Sequence, residues 1–515
     1  MLSLFDQGAP EPAPAAFNLA AYVLAAGLAT PEKIALQVVG ATGAERWSYA
    51  ALTDAVRGTG AGLRALGLSP GDRVLLRLSN SVDFPIVYLG AIAAGLIPVP
   101  TSSQLTVPEV TAIGAEIRPA LIAASDGVSL PEAPDCPVLS GAALTALRAT
   151  APCDYAMGDP DRLAYIIYTS GSSGRPRAVM HAHRAVWARR MMYRGWYDLQ
   201  PFDRLLHAGA FNWTYTLGTG LMDPWAMGAT ALIPAAGTEP RQLPLLLKRY
   251  DATIFAAAPG VYRQMLRHHA KFDLPRLRHG LSAGEKLPAT IRHGWENATG
   301  TEVHEALGMS ECSTFISAAP GHPAPEGASG FPQPGRRIAV LGDDGQPVAR
   351  GEAGILAISR RDPGLFLGYL GAEEETAQKM SGEWFLTGDT VAMDAANAVT
   401  YLGRGDDMMN AGGYRVSPLE VEHAMAHCPG ITDCAAVEVT VKADTSVIAL
   451  FYTGDAQDEA ALAAHAAAHL ARYKQPRLYL HHDVLPRGPN NKLSRRALRL
   501  AYEARMTAPQ NGETA

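Results

Sequence analysis

At 515 residues the chain is too long for one ordinary hydrophobic core, and roughly two to four folding units are expected. Its composition, 48% hydrophobic and 18% charged with a net charge of −6, is that of a globular protein without the basic surface a nucleic-acid partner needs. Cys136, Cys153, Cys312, Cys428 and Cys434 are scattered without metal-ligand spacing, which fits free thiols in a reducing cytoplasm.

The first residues, MLSLFDQGAPEPAPAAF, lack a basic region and a continuous apolar core, so no secretory signal is read there. Residues 1–16 are Ala/Pro-rich and are expected to form a flexible arm. From Asn18 the pattern is helical, Ile34 to Val39 reads as a strand, and Trp47-Ser48-Tyr49 leads into another helix. The apolar run from Phe84 to Pro100 is broken by Pro85, Gly90, Gly95 and Pro98. It reads as a buried helix running into a strand, not a membrane span. Helices and strands alternate to about residue 160, the pattern of a mainly parallel sheet.

Leu163 to Tyr168 is a β-forming apolar run. It opens into Thr169, Ser170, Gly171, Ser172, Ser173 and Gly174, followed by Arg175, Pro176 and Arg177. Glycines let backbone N–H groups approach a ligand, hydroxyls add donors, and arginine forks onto phosphate oxygens. The spacing is not that of a Walker A loop. Read alone, the stretch suits either a polyphosphate cradle or a Ser/Gly surface turn. Further along, Phe211, Trp213 and Tyr215 form an aromatic cluster, which suits a pocket or a core equally. Ser282 to Glu285 and Gly308 to Glu311 each follow an expected strand. Residues 338–401 read as strands and turns, a β-rich region ending near Thr387-Gly388-Asp389. Gly403 to Asp407 marks a domain boundary, placing an N-terminal domain at 17–405 and a smaller C-terminal one at 406–515. Ser417-Pro418-Leu419-Glu420 reads as a capping box, and Val421, Ala424, Met425 and Cys428 give the following helix one apolar face. Glu459 to Leu470 reads as another helix, and Lys492 lies in a polar loop near the end.

The wording of these stretches resembles the adenylate-forming superfamily of acyl-CoA synthetases, peptide-synthetase adenylation domains and luciferases. Six motifs match in the family's order over roughly residues 20–505. Arg177 stands where the family has Lys, Ala178 where it has Gly, Ser310 where it has Thr, Leu307 where it has Tyr, and Asn491 where it has Gly. The resemblance implies an α/β protein. Its large N-terminal domain would hold two α/β sheet subdomains and a β-rich one, with a small mobile α+β C-terminal domain beside it. It implies a two-step ligase using ATP, Mg²⁺ and coenzyme A. Thr169 to Gly174 with Arg177 would hold phosphates, with Gly284 and Glu285 also on the nucleotide. Ser310 would bond a phosphate, Glu311 would take Mg²⁺, and Asp389 and Arg404 would take the ribose. Phe211, Trp213, Tyr215 and Gly308 would line the acid pocket. Lys492 would bridge carboxylate and α-phosphate, Asp406 would be the hinge, and Gly413 would let the pantetheine arm pass.

Phe17-Asn18-Leu19, Leu221 to Trp225 and Gly413 to Glu422 look closest to benzoate-type and medium-chain acyl-CoA ligases. The partners expected are therefore a small carboxylic acid, ATP and CoA, with no nucleic acid and no membrane. The oligomeric state, a homodimer included, stays open. A stand-alone enzyme loading a carrier protein and a non-catalytic nucleotide binder are the alternative readings.

Overall fold

The computed structural model describes all residues except 171–175, 285, 405–408, 412–413, 417, 443–444, 487–492, 494 and 508–515. The chain divides into two compact units. The larger comprises Met1–Ser103, Val110–Tyr168 and Arg177–Gly405, and the smaller is built mainly from Asp406–Ala515.

In the larger unit the alternation of helix and strand feeds two sheets, as the resemblance implies. Arg73–Arg77, Ile97–Pro100, Leu121–Ala124 and Val138–Ser140 form a four-stranded parallel sheet. Ile34–Val39 leaves that sequence neighbourhood and pairs in parallel with Thr230–Pro234, inside a nine-stranded sheet. That sheet is parallel through its centre and closed by antiparallel edges at Ala44–Ser48 and Phe331–Pro332. Its central strands are buried on both faces and mostly read as apolar runs, as in Thr230–Pro234 and Ile254–Ala256, while His279–Ala283 is equally buried but carries His279 and Ser282. The Phe84 to Pro100 run resolves into the helix Asp83–Ala93, buried almost throughout, and the strand Ile97–Pro100. No helix among the described residues is long and apolar enough to cross a membrane.

Residues 338–404 supply most of a six-stranded antiparallel sheet, the expected β-rich region. Its outer strand corrects the reading of the N-terminus. Leu4–Phe5 is no arm but a strand paired with Ile338–Leu341. Ser3 is fully buried, and the Arg350 guanidinium donates to the Leu2 and Leu4 carbonyls. Backbone pairing ties down a terminus whose composition alone reads as free.

The smaller unit packs the helices Pro418–Met425, Glu459–His469 and Arg495–Thr507 with a three-stranded sheet, Ile431–Lys442, Thr445–Gly454 and Leu478–His481. Val421, Met425 and Cys428 are buried along one face, as the spacing predicts. Ser417 of the expected capping box lies outside the described residues. Glu420 is spent on another contact: its Oε1 accepts from Lys474 Nζ at 2.5 Å, with both side chains buried.

Candidate active site

Strand Leu163–Ser170 carries the start of the glycine-rich loop. Ala164, Ile166 and Ile167 are buried, and the apolar run is the reason the strand forms here. Tyr168 marks its outer end. Its hydroxyl donates to Glu116 Oε2 at 2.7 Å, anchoring the strand to helix Val107–Ile117. Burial first, and then the Glu116 carboxylate, raise this phenol above its usual value and keep it a donor. Thr169 and Ser170 complete the strand, while Gly171, Ser172, Ser173 and Gly174 lie outside the described residues.

The chain returns as strand Pro176–Ala182, sandwiched between Leu163–Ser170 and the short strand Gly368–Tyr369. Tyr369 pairs with Val179, so it is the diagonal cross-strand neighbour of Arg177, two residues earlier on the same face. The Arg177 guanidinium sits 5.1 Å from the centre of the Tyr369 ring and forms an ion pair with Glu375. Glu375 comes from the short helix Glu373–Gln378, which is tied back by the Tyr369 N–H bond to Thr376 Oγ1 at 3.0 Å. Ala178, the added methyl at a family glycine position, is buried without displacing this strand: its carbonyl accepts from the Leu370 N–H at 2.9 Å.

Tyr369 also reaches the second motif. Strand Val303–Met309 turns through Ser310 to Cys312 into strand Ser313–Ser317. Gly308 is needed where the two strands close up: a Cβ there would lie 2.3 Å from the Ser313 carbonyl oxygen. The turn presents Glu311, only 6% exposed, and its Oε1 accepts from the Tyr369 hydroxyl at 2.7 Å. Burial, then the Glu311 charge, raise the Tyr369 phenol, so it stays protonated and donating. One Glu311 oxygen is thereby fixed, and Oε2 has no partner among the described residues. No group of three or more metal-ligating side chains occurs among those residues. A lone hard carboxylate beside an arginine suits a Mg²⁺ that arrives with phosphate oxygens as its other ligands, not a resident ion held in a protein cage.

Asp389 and Arg404 are brought together by register. They face each other across strands Trp384–Met393 and Val399–Arg404. The Thr387-Gly388-Asp389 segment bulges out of the sheet, with Gly388 at φ +78°. The Thr387 hydroxyl donates to the Leu356 carbonyl at 2.8 Å, and the Asp389 N–H donates to Thr387 Oγ1 at 3.1 Å. The bulge thus fixes where a buried carboxylate points. Gly284 ends strand His279–Ala283 at φ +98°, and Glu285 lies outside the described residues. So do Lys492, Gly413 and Asp406.

The aromatic cluster divides. Phe211 is core, packed 5.2 Å from Phe84. Tyr215 is buried, stacked on Trp196, and its hydroxyl donates to the Leu281 carbonyl at 3.1 Å. Trp213 is half-buried against the edge of Tyr215. Their neighbour Thr214 lines a cavity of about 20 Å³ together with Ser310, Ser313, His181 and Arg189. That is room for about one water. Arg189 is paired in a fork with Asp223, Nε to Oδ1 at 2.8 Å and Nη2 to Oδ2 at 2.6 Å, and the Tyr197 hydroxyl donates to Asp223 Oδ2 at 2.8 Å. Gly218 leaves space for this guanidinium, since a Cβ there would lie 2.2 Å from it. Burial pulls the His181 imidazole down to about 4, so it is neutral at pH 7.

Tyr369, Glu375 and Arg189 carry this geometry and were not among the residues expected from sequence. The local signal for Tyr369 is one β-forming aromatic after a glycine and before an acidic run; its partner Glu311 is 58 residues away.

A model of AMP-binding enzymes matches residues 25–370, and one of their C-terminal domain matches 420–492. The chain is 32% identical to the benzoate–CoA ligase of Thauera aromatica over 488 residues, 88% of this chain and 91% of that protein. The structure of a benzoate CoA ligase from Burkholderia xenovorans superposes with a TM-score of 0.69 at 26% identity, covering 94% of this chain and 100% of the other. The o-succinylbenzoate CoA synthetase of Bacillus subtilis, a double mutant bound to a product analogue, gives a TM-score of 0.82 over 93% of this chain and 98% of the other; at 20% identity this likeness speaks for the fold alone. With both family domains matched and a relative this similar along most of its length, the chain belongs to the AMP-binding enzymes, the adenylate-forming superfamily.

Proposed function

We propose that the chain is an AMP-forming carboxylic acid–CoA ligase acting on benzoate-like or short- to medium-chain acids. The observation that carries this reading is the single network of Glu311, Tyr369 and Arg177, which sets a hard carboxylate and a phosphate-binding cation around one phenol at the edge of the glycine-rich loop. In the first step the acid attacks the α-phosphorus of Mg·ATP; an acyl–O–P bond forms and pyrophosphate leaves. In the second, CoA sulfur attacks the acyl carbon and AMP leaves. Mg²⁺ supplies charge neutralisation on the phosphates, and Glu311 is the residue that would hold it. Thr169 to Gly174, Ser310 and Arg177 bind phosphate, Asp389 and Arg404 take the ribose, and Gly284 and Glu285 flank the nucleotide. Lys492 bridges the acid and the α-phosphate, Asp406 is the hinge, and Gly413 lets pantetheine pass.

The small cavity has room for about one water and cannot hold the acid; it bears on the acid class only through the charge at its wall. The Arg189 charge is already matched by Asp223, so the cavity offers no spare cation to a second carboxylate. Tyr165, Leu217 and Met222, which share the wall with Thr214, favour an uncharged tail. The curated relative from Thauera aromatica, named for benzoate, supports the same class. The test is CoA-dependent AMP release over a panel of acids. Benzoate or hexanoate should give the highest kcat/KM, with palmitate and succinate poor. A preference for palmitate or succinate contradicts the acid assignment, and release of ADP in place of AMP contradicts the reaction.

A further inference from the structure

Arg177 is the first described cation after the glycine-rich loop, and its closest acidic neighbour is part of its own protein. Glu375 sits on a six-residue helix whose first turn is Glu373, Glu374 and Glu375. An acidic run of this kind is ordinarily a solvated face. Here one member turns inward: the Glu375 side chain is 27% exposed and the Arg177 side chain 11%, and the two are in direct contact. The Tyr369 ring holds the guanidinium from another side.

We propose that Glu375 is a built-in counter-ion that occupies Arg177 until a polyphosphate displaces it, and so sets the affinity of the site for the β- and γ-phosphates. This rests on the assignment of Arg177 to the triphosphate. The physical reason is competition. A guanidinium already paired with a carboxylate must leave it, at least in part, before it can fork onto phosphate oxygens. The apparent affinity of the phosphates is lowered by the fraction of time the pair is closed. A carboxylate remaining near the triphosphate also repels it. Because the pair is partly exposed, the effect is modest, corresponding to about fivefold in affinity. The Tyr369 ring keeps the guanidinium in place whichever anion it faces, since the ring attracts the cation in both states. The pair thus keeps an empty phosphate site electrically quiet and lets pyrophosphate leave more readily.

The experiment is calorimetric titration of the full-length protein with Mg·ATP and, separately, with AMP, which lacks the β- and γ-phosphates. Glu375→Gln keeps the shape of the side chain and removes its charge. It should tighten Mg·ATP about fivefold and leave AMP unchanged. In an Arg177→Gln background the same substitution should change neither. Weaker ATP binding by Glu375→Gln would mean that Glu375 pre-orients Arg177 for phosphate, and would overturn the proposal. So would an equal tightening of ATP and AMP, which marks a general field effect, or unchanged binding of both. Absence of ATP binding by the wild-type protein would instead remove the functional reading on which the proposal rests.

Discussion

Two arginines close together in sequence, Arg177 and Arg189, meet carboxylates in very different surroundings. Arg177 meets Glu375 near the start of its strand, with both side chains partly exposed. Arg189 meets Asp223 through two parallel bonds, with the carboxylate wholly buried and Tyr197 adding a third. In water an exposed pair gains little, and either member can take another partner. Inside the protein neither charge can be left alone, because desolvation of an unpaired ion costs several kcal/mol. The difference separates a cation available to a ligand from one committed to the fold. It also argues against reading the polar floor of the small cavity as an anion site.

The comparison is tested most severely by Asp223→Ala. It strands the Arg189 guanidinium, and stability should fall by about 3–5 kcal/mol in urea melts. Glu375→Gln, by contrast, should hardly move the melt. Similar losses for the two would erase the distinction. The strand that carries Arg177 at its start carries neutral His181 at its buried end. The unfolded chain takes up the imidazole proton near pH 6.5 and the folded one only near pH 4. Stability from His181 is therefore complete above about pH 6.5 and lost as pH falls toward 4, at up to about 1.4 kcal/mol per pH unit. His181→Gln should flatten the pH dependence of the urea midpoint between pH 6.5 and 4; an unchanged slope would show that the ring is protonated in the fold. The smallest effect is expected for Tyr369→Phe, which keeps the ring under Arg177 and removes the hydroxyl from Glu311. Losing one bond to a carboxylate should raise the Mg²⁺ concentration needed for half-maximal activity by roughly fivefold to tenfold, with AMP affinity unchanged. A parallel loss of AMP affinity would make Tyr369 merely structural.

Much of this was legible in the sequence wherever the information is local. The apolar run before Thr169, the helix after Pro418 and the strands flanking Thr387-Gly388-Asp389 follow from periodicity and turn chemistry. The family motifs assign Asp389 and Arg404 to one nucleotide but say nothing of their register; only the structure pairs them across two strands. What sequence could not show depends on pairing between distant segments. Leu4–Phe5 reads as an arm because its partner strand begins at Ile338. Ile34–Val39 reads as a strand, but its partner Thr230–Pro234 lies far along the chain and could not be named from sequence. Phe211 suits pocket and core equally in sequence, and its packing on Phe84 becomes visible only in the fold. Nothing in the sequence singles out Glu375, and only the register of Gly368–Tyr369 with Val179 and Met180 carries the helix after it toward Arg177.

The proposed ligase activates its acid as an adenylate at the site built around Glu311. The direct measurement is benzoate-dependent exchange of labelled pyrophosphate into ATP, without CoA, in the wild-type protein and in Glu311→Gln. The account predicts exchange by the wild type that requires both benzoate and Mg²⁺, cut by roughly 10²-fold in the variant. Exchange that needs no acid, or that survives Glu311→Gln undiminished, would contradict it.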